Sequence, residues 1–367
     1  MMHNNRHIGL DLLRIIAMLM IVMQHFLTHN AALSGEMVSL NYYVGMFIRT
    51  ICSVAVDCYF LITGYFMITH KARIEKVIGL WGETLFWSIL VFGIMRMFVS
   101  VNTTELLYTF LPISMKEYWF ITVYIVLYIL TPYFNLLIKS MSRLQYKTLI
   151  AILLLVFSIW KMIVPTSSTL DSSGGYGLPI AVVMYFMGAY IKKYNIRIKQ
   201  KYNIFICIIV PIIQMMTYLI IESMEKKFIW LGDYLISDIL SYYTSICMII
   251  CAVSYFMLFK NIKIKNKIIE SIIINISPLT LGVYLIHEQI LLRKYLWKTL
   301  IPVERLIKEP YFIAMAIISV ILVFVICCIL EYIRKICTKK LRLDKIVNII
   351  ADKVKKLSYK LMNINNK

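Results

Sequence analysis

An all-α membrane protein of about ten spans, with both termini in the cytoplasm, is the fold class this sequence predicts, and three observations carry it. Of 367 residues, 60% are hydrophobic and 16% charged, against about 25% charged in ordinary soluble domains. Apolar stretches of about 20 residues recur along the chain, each long enough to cross ~30 Å of hydrocarbon. The apolar runs are continuous rather than alternating, which excludes a β-barrel.

The elements follow in order from those runs and the charges between them. The first span, 10–28, follows Arg6; it is longer than a signal-peptide core and no A-x-A cleavage site follows it, so it reads as a retained helix. A base-free loop leads to the second span, 44–68, which is closed by Lys71, Arg73 and Lys76. The third and fourth, 77–99 and 118–138, are separated by a loop whose sole noted base is Lys116. Lys139, Arg143 and Lys147 precede and open the fifth, 146–164, which carries Lys161 near its far end. The outer loop Ser167–Gly177, rich in Ser and Gly, is either a place for a mobile lid or a plain flexible connection, and leads into the sixth, 178–192. Lys192, Lys193, Arg197, Lys199 and Lys201 then precede the seventh, 203–222. Lys226 and Lys227 beside Glu222, Glu225 and Asp233 precede the eighth, 235–259; Lys260, Lys263, Lys265 and Lys267 separate it from the ninth, 272–292. The last loop, 293–309, breaks the pattern with five basic residues before the tenth span, 310–334. Four of five loop pairs therefore place both termini inside.

That alternation also explains the formal charge of +20. Bases confined to short loops between spans specify topology, and nucleic-acid binding is excluded as the reading of this charge. The eight cysteines lie almost all within apolar spans with no C-x-x-C or metal-ligand spacing, so they read as small hydrophobes and not as a disulfide framework. Residues 1–335 form one membrane domain, and the basic, loosely amphipathic tail 336–367 is expected on the anionic inner leaflet. The lipid bilayer is accordingly a partner throughout.

The first span carries groups that lipid does not tolerate cheaply. In "LDLLRIIAMLMIVMQHFLTH", Arg14 and His25 stand 11 residues apart, which returns to within ~20° of one helical face with ~16 Å of axial separation. Ionisable groups inside a span usually face a cavity and mark a function. The separation is about the reach of a pantetheine arm, so Arg14 could hold phosphates at the inner mouth while His25 meets what the arm carries, as base or nucleophile. Asp11 shares the face of Arg14 and could orient it. Plainer readings stand beside these: Arg14 as an interfacial anchor, and His25 with His29 as an i,i+4 metal pair. With no third ligand close by in sequence, no metal is expected.

Four stretches carry a family resemblance. "LDLLRIIAMLMIVMQH" resembles the N-terminal signature of the acyltransferase-3 family, integral membrane acyltransferases whose hallmark is this Arg and His on the first helix. "VDCYFLITGYFM" (56–67) is similar to the second-helix segment V-D-x-F-F-x-x-S-G-F/Y, with Thr63 where Ser is usual. "WFITVYIVLYILTP" (119–132) matches the fourth-helix Trp, Tyr and Pro, and "LGVYLIHEQIL" (281–291) resembles the late L-G-x-Y-L-x-H segment. Two departures stand out. Lys71 and Arg73 replace the R-x-R pair found after the second helix in many members, and Tyr124 stands where many carry a Glu.

The resemblance implies an acyl-coenzyme A-dependent O-acyltransferase of the cell membrane that moves an acyl group, acetyl foremost, from the cytoplasm to a hydroxyl of an envelope glycan or lipid-linked glycan. His25 and Asp57 are then the catalytic candidates, with Asp57 orienting His25 or, alternatively, bonding a neighbouring helix. Arg14, Lys71 and Arg73 would hold the acetyl-coenzyme A phosphates, with no permanently bound cofactor. Trp119, Tyr124, His287 and Glu288 would line an acceptor pocket, against the alternatives of an interfacial belt and simple closure of the bundle. Two rivals remain on residues alone: a flippase or polymerase-type transporter of lipid-linked glycans, and a non-catalytic membrane sensor.

Overall fold

The computed structural model describes residues 6–29, 33, 39–115, 117–164, 175–227 and 243–364. Lys116, most of the loop 167–177 and the first part of the expected span 235–259 lie outside them. Among the described residues the chain is helical and contains no strand. The first half comprises α1 (Ile8–Thr28), α2 (Leu40–Cys52), α3 (Ala55–Met67), α4 (Ile74–Met95), α5 (Thr103–Phe110), α6 (Trp119–Ser140), α7 (Arg143–Leu154), α8 (Trp160–Ile163) and α9 (Leu178–Lys193). The second comprises α10 (Gln200–Lys227), α11 (Ile246–Lys260), α12 (Lys267–Ile276), α13 (Thr280–His287), α14 (Ile290–Tyr295), α15 (Val303–Leu306), α16 (Phe312–Lys340) and α17 (Leu343–Ile364).

Seven helical stretches among the described residues are long and apolar enough to cross a membrane: α1, α2 with α3, α4, α6, Gln200–Met224 of α10, α12 with α13, and α16. The three other expected spans are helical but shorter as single α-helices. The fifth is interrupted by a π-helical turn at Leu155–Ile159, α9 has 16 residues, and the described part of the eighth, α11, has 15.

Helix α1 runs through the centre of the bundle, in contact with α2, α3, α11, α12, α13 and α16. Its buried residues include Leu10, Leu13, Ala17, Val22, Phe26 and Leu27, which is why a helix carrying Arg and His can still be held in place. Helices α3 and α9 pack backbone against backbone. A Cβ on Gly64 would stand 2.1 Å from the Tyr185 carbonyl oxygen, and one on Gly188 would stand 2.2 Å from that of Leu61. Small residues at such crossings let membrane helices approach closely. Gly64→Ala is therefore expected to force the pair apart at a cost of about 1–3 kcal/mol. The check is the melting temperature in detergent, and an unchanged value would contradict the packing.

The expected ninth span does not run unbroken from 272 to 292. Pro278 lacks an N–H and sits in a 3-10 turn, Ser277–Leu279, between α12 and α13. A second break follows His287, where the Gln289 side chain accepts the N–H groups of Leu291 (3.0 Å) and Leu292 (3.1 Å) and caps α14. Helix α13 is held on α16 by Gly282, whose position lies directly over the Glu331 side chain. That fully buried carboxylate takes the Trp87 indole N–H at 2.9 Å and two bonds from Arg334 at 2.7 Å. At the C-terminal end, α16 continues to Lys340 and the turn falls at Arg342, whose backbone is left-handed (φ 51°), so the helix passes through the expected domain boundary at 335. Helix α17 lies against α4, where Lys355 pairs with Glu75, and exposes Ile346, Ile349, Val354 and Leu357.

Candidate active site

A cavity of about 1030 Å³ runs along one face of α1, lined by Asp11, Arg14, Met18, Ile21, His25 and Thr28. Those positions recur every three or four residues, as one face of a helix requires. Arg14 and His25 thus line the same cavity, one toward each end of it. Helix α3 supplies Val56, Tyr59, Thr63 and Phe66, α6 supplies Trp119, Phe120 and Tyr124, and α13 supplies Tyr284.

At the Arg14 end, buried Asp11 anchors two guanidinium groups. Arg14 Nη1 donates to Asp11 Oδ1 at 2.6 Å and Arg6 Nε donates to Oδ2 at 2.5 Å, while Ser277 Oγ donates to Oδ1 at 3.1 Å. The Arg14 guanidinium also rests 5.4 Å from the centre of the Phe66 ring. An adjoining hollow of about 510 Å³ is lined by Arg6, His7, Arg14, His70 and Lys192. The expected helpers Lys71 and Arg73 line neither space, and both are exposed. Arg73 precedes α4 in extended backbone, and its N–H bonds the Tyr128 hydroxyl at 3.0 Å. One turn later Lys76 faces the cavity instead, over the Tyr128 ring at 4.9 Å and 3.1 Å from the Tyr124 hydroxyl. Tyr124 thus lines the same cavity as Trp119, with its hydroxyl on Lys76.

At the His25 end five groups converge from two chain segments, His25 and His287 being 262 residues apart. His25 Nδ1 lies 2.9 Å from His287 Nε2 and 2.9 Å from Glu288 Oε2. His29 Nε2 lies 3.0 Å from the same Glu288 oxygen, and Arg293 Nη1 donates to Glu288 Oε1 at 2.5 Å. The tautomers follow from the acceptors. His287 Nδ1 is 2.5 Å from the Val283 carbonyl, which can only accept, so Nδ1 carries the proton and Nε2 a lone pair. His25 Nδ1 must then be the donor toward His287 and Glu288, which leaves His25 Nε2 unprotonated on a ring that lines the cavity. This is the arrangement of a base held and oriented by a carboxylate.

The expectation that Asp57 orients His25 is corrected: Glu288 occupies that place. Asp57 is fully buried, does not line the cavity, and neither carboxylate oxygen has a hydrogen-bond partner among the described residues. On α3 the cavity-lining positions are 56, 59, 62, 63, 66 and 67, and Asp57, turned ~100° from Val56, is not among them.

Trp119 is at the His25 end. Its ring is stacked with Tyr243 at 6.1 Å and meets Tyr176 edge-on at 4.9 Å, and Tyr243 donates to Gln24 Oε1 at 3.3 Å beside His25. Tyr176 and Tyr243 carried no signal in the sequence: Tyr176 lies in the loop 167–177, and Tyr243 reads as one more apolar residue of the expected span 235–259. Glu117 stands in the loop just ahead of the expected fourth span and belongs to no motif in the sequence. It lines the cavity, its Oε1 accepts the Ile290 N–H at 2.8 Å, its Oε2 is buried without a partner among the described residues, and burial pushes the carboxyl up to about 7.

A many-helix cavity with a basic end and an oriented imidazole suits a membrane enzyme of the group-transfer class. A family model described as an acyltransferase domain matches residues 7–332, nearly the whole chain, and the chain belongs to the acyltransferase-3 family. It is thus a membrane acyltransferase. Comparison with curated proteins and with solved structures finds no match.

Proposed function

We propose that this chain is a ten-span enzyme of the cell membrane, with both termini in the cytoplasm, that carries an acyl group from cytoplasmic acyl-coenzyme A to a hydroxyl of an envelope glycan. Acetyl is the favoured acyl group, and a lipid-linked precursor of the glycan is an equivalent acceptor. The observation that carries the reading is the single cavity with Arg14 toward one end and His25 toward the other. Its volume, about 1030 Å³, matches the upper range of small-molecule sites. Arg6, Arg14 and Lys192 cluster where anionic phosphates would rest, and guanidinium groups bind phosphate by paired, charge-assisted bonds. Trp119, Tyr176 and Tyr243 supply flat apolar faces with polar edges at the other end, suited to a sugar ring.

In this reading His25 Nε2 takes the proton of the acceptor hydroxyl as its oxygen attacks the thioester carbonyl. The tetrahedral intermediate collapses to the ester, and the departing coenzyme A thiolate receives the proton back from His25. Glu288 stabilises the transient imidazolium, and Arg293 on its other oxygen keeps the carboxylate in place.

The test is sidedness. In sealed inside-out vesicles, labelled acetyl-coenzyme A added to the buffer should label glycan trapped in the lumen. Right-side-out vesicles should stay unlabelled until they are permeabilised. Equal labelling of both preparations would remove the bridging role of α1, and labelling confined to the cytoplasmic face would place the reaction before export.

A further inference from the structure

We propose that His25, His287 and Glu288 also form a reversible zinc site, and that the ion switches acyl transfer off by capturing the Nδ1 side of His25. The switching half rests on the proposed function; the binding half does not. One ligand atom from each of the three residues lies within 4.8 Å of the others. His25 Nδ1 stands 2.9 Å from both His287 Nε2 and Glu288 Oε2. Tetrahedral zinc, with bonds of about 2.0–2.2 Å, sets neighbouring ligand atoms roughly 3.3 Å apart. Parting these pairs by a few tenths of an ångström, on the order of a small side-chain adjustment, admits the ion.

The donor set selects the metal. Two imidazole nitrogens and one carboxylate oxygen suit zinc, whereas magnesium and calcium require shells of oxygen. The groups behind the ligands already aim them inward. The Val283 carbonyl holds the His287 proton on Nδ1 and so frees Nε2, and Arg293 occupies Glu288 Oε1 and leaves Oε2 facing the histidines. His29 Nε2, 3.0 Å from Glu288 Oε2, lies outside the three-ligand group and braces that carboxylate, so water completes the shell. His25, His29 and Glu288 all line the cavity, which gives the ion a route in. Arg293 also puts a positive charge beside the dication, so the site binds and releases rather than staying loaded.

The consequence for chemistry follows from proton balance. Neutral His25 carries its one ring proton on Nδ1; when zinc takes the Nδ1 lone pair, that proton ends on Nε2. The nitrogen that would accept the acceptor's proton is then occupied, and no proton is gained or lost overall.

Chelator-treated protein in detergent should bind one Zn²⁺ per chain by calorimetry, and X-ray absorption of the wild-type complex should show imidazole ligands. His287→Gln and Glu288→Gln should each weaken Zn²⁺ binding on the order of tenfold or more. In permeabilised membranes, micromolar Zn²⁺ should lower wild-type acetyl transfer about tenfold and a chelator should restore it. Absence of saturable binding, a bound ion without imidazole ligands, or affinity unchanged in both variants would overturn the site. Binding at these residues with transfer undiminished would overturn the switch. A wild type that transfers nothing with or without Zn²⁺ counts against the proposed function, and the metal site is still decided by the calorimetry.

Discussion

Replacing His25 with alanine will lower acyl transfer to glycan by about 10²–10⁴-fold while the protein stays folded and inserted. The ring is only partly buried and faces a cavity, so its loss opens no sealed void in the core. Its removal leaves Glu288 still bonded to His29 and Arg293, so no buried charge is orphaned. His25→Gln separates chemistry from structure. The amide can still donate to Glu288 and fill the space, but it cannot take a proton, so it should be as inactive as alanine. On the proposed function, binding of acetyl-coenzyme A should survive in both variants, since the guanidinium proposed to anchor it is placed ~16 Å away along α1. Wild-type levels of O-acylation from a well-expressed His25→Ala protein would remove the residue from the reaction.

How far the site was legible differs by element, and the reason is geometric. Positions on one helix are related by a known rotation and rise, so that Arg14 and His25 share a face was readable from their spacing, and both line one cavity. The same arithmetic says nothing about how a second helix is rotated against the first. The pairing of Asp57 with His25 took no account of the rotation of α3, which presents Val56 and Tyr59 to the cavity instead. Glu288 reached His25 because the chain breaks after α13, a break set by a Gln289 cap and by Glu117 accepting the Ile290 N–H. Neither signal stands out in "HEQIL", which reads as a continuing apolar helix. The third potential metal ligand was absent near His25 and His29 in sequence for the same reason: it arrives by folding. On the basic side, K-x-R drew attention to Lys71 and Arg73, whereas Lys76 is the base of that segment that lines the cavity. The broad class needed none of this geometry, since the apolar runs already required a helical membrane protein.

Glu288→Gln should lower kcat for acyl transfer by about 10²-fold and leave the KM for acetyl-coenzyme A nearly unchanged. The carboxylate lies 2.9 Å from His25 Nδ1, where an effective dielectric near 20 gives an attraction of roughly 6 kcal/mol for a full imidazolium charge. In the transition state the imidazole carries only part of that charge, which brings the loss to about 3 kcal/mol or 10²-fold. The effect falls on kcat because the imidazolium exists only while the proton is in transit, so the ground-state complex gains little from the charge. Glutamine keeps the length of the side chain and an oxygen that can accept from His25, so the ring should remain oriented. Alanine is the less informative change, because it strands Arg293 in the cavity wall and mixes instability with chemistry. A rise in the donor KM at unchanged kcat would mean that Glu288 serves binding rather than the proton transfer. Unchanged kinetics in the Gln variant would leave His287, the other neighbour of His25 Nδ1, as the group that orients the base.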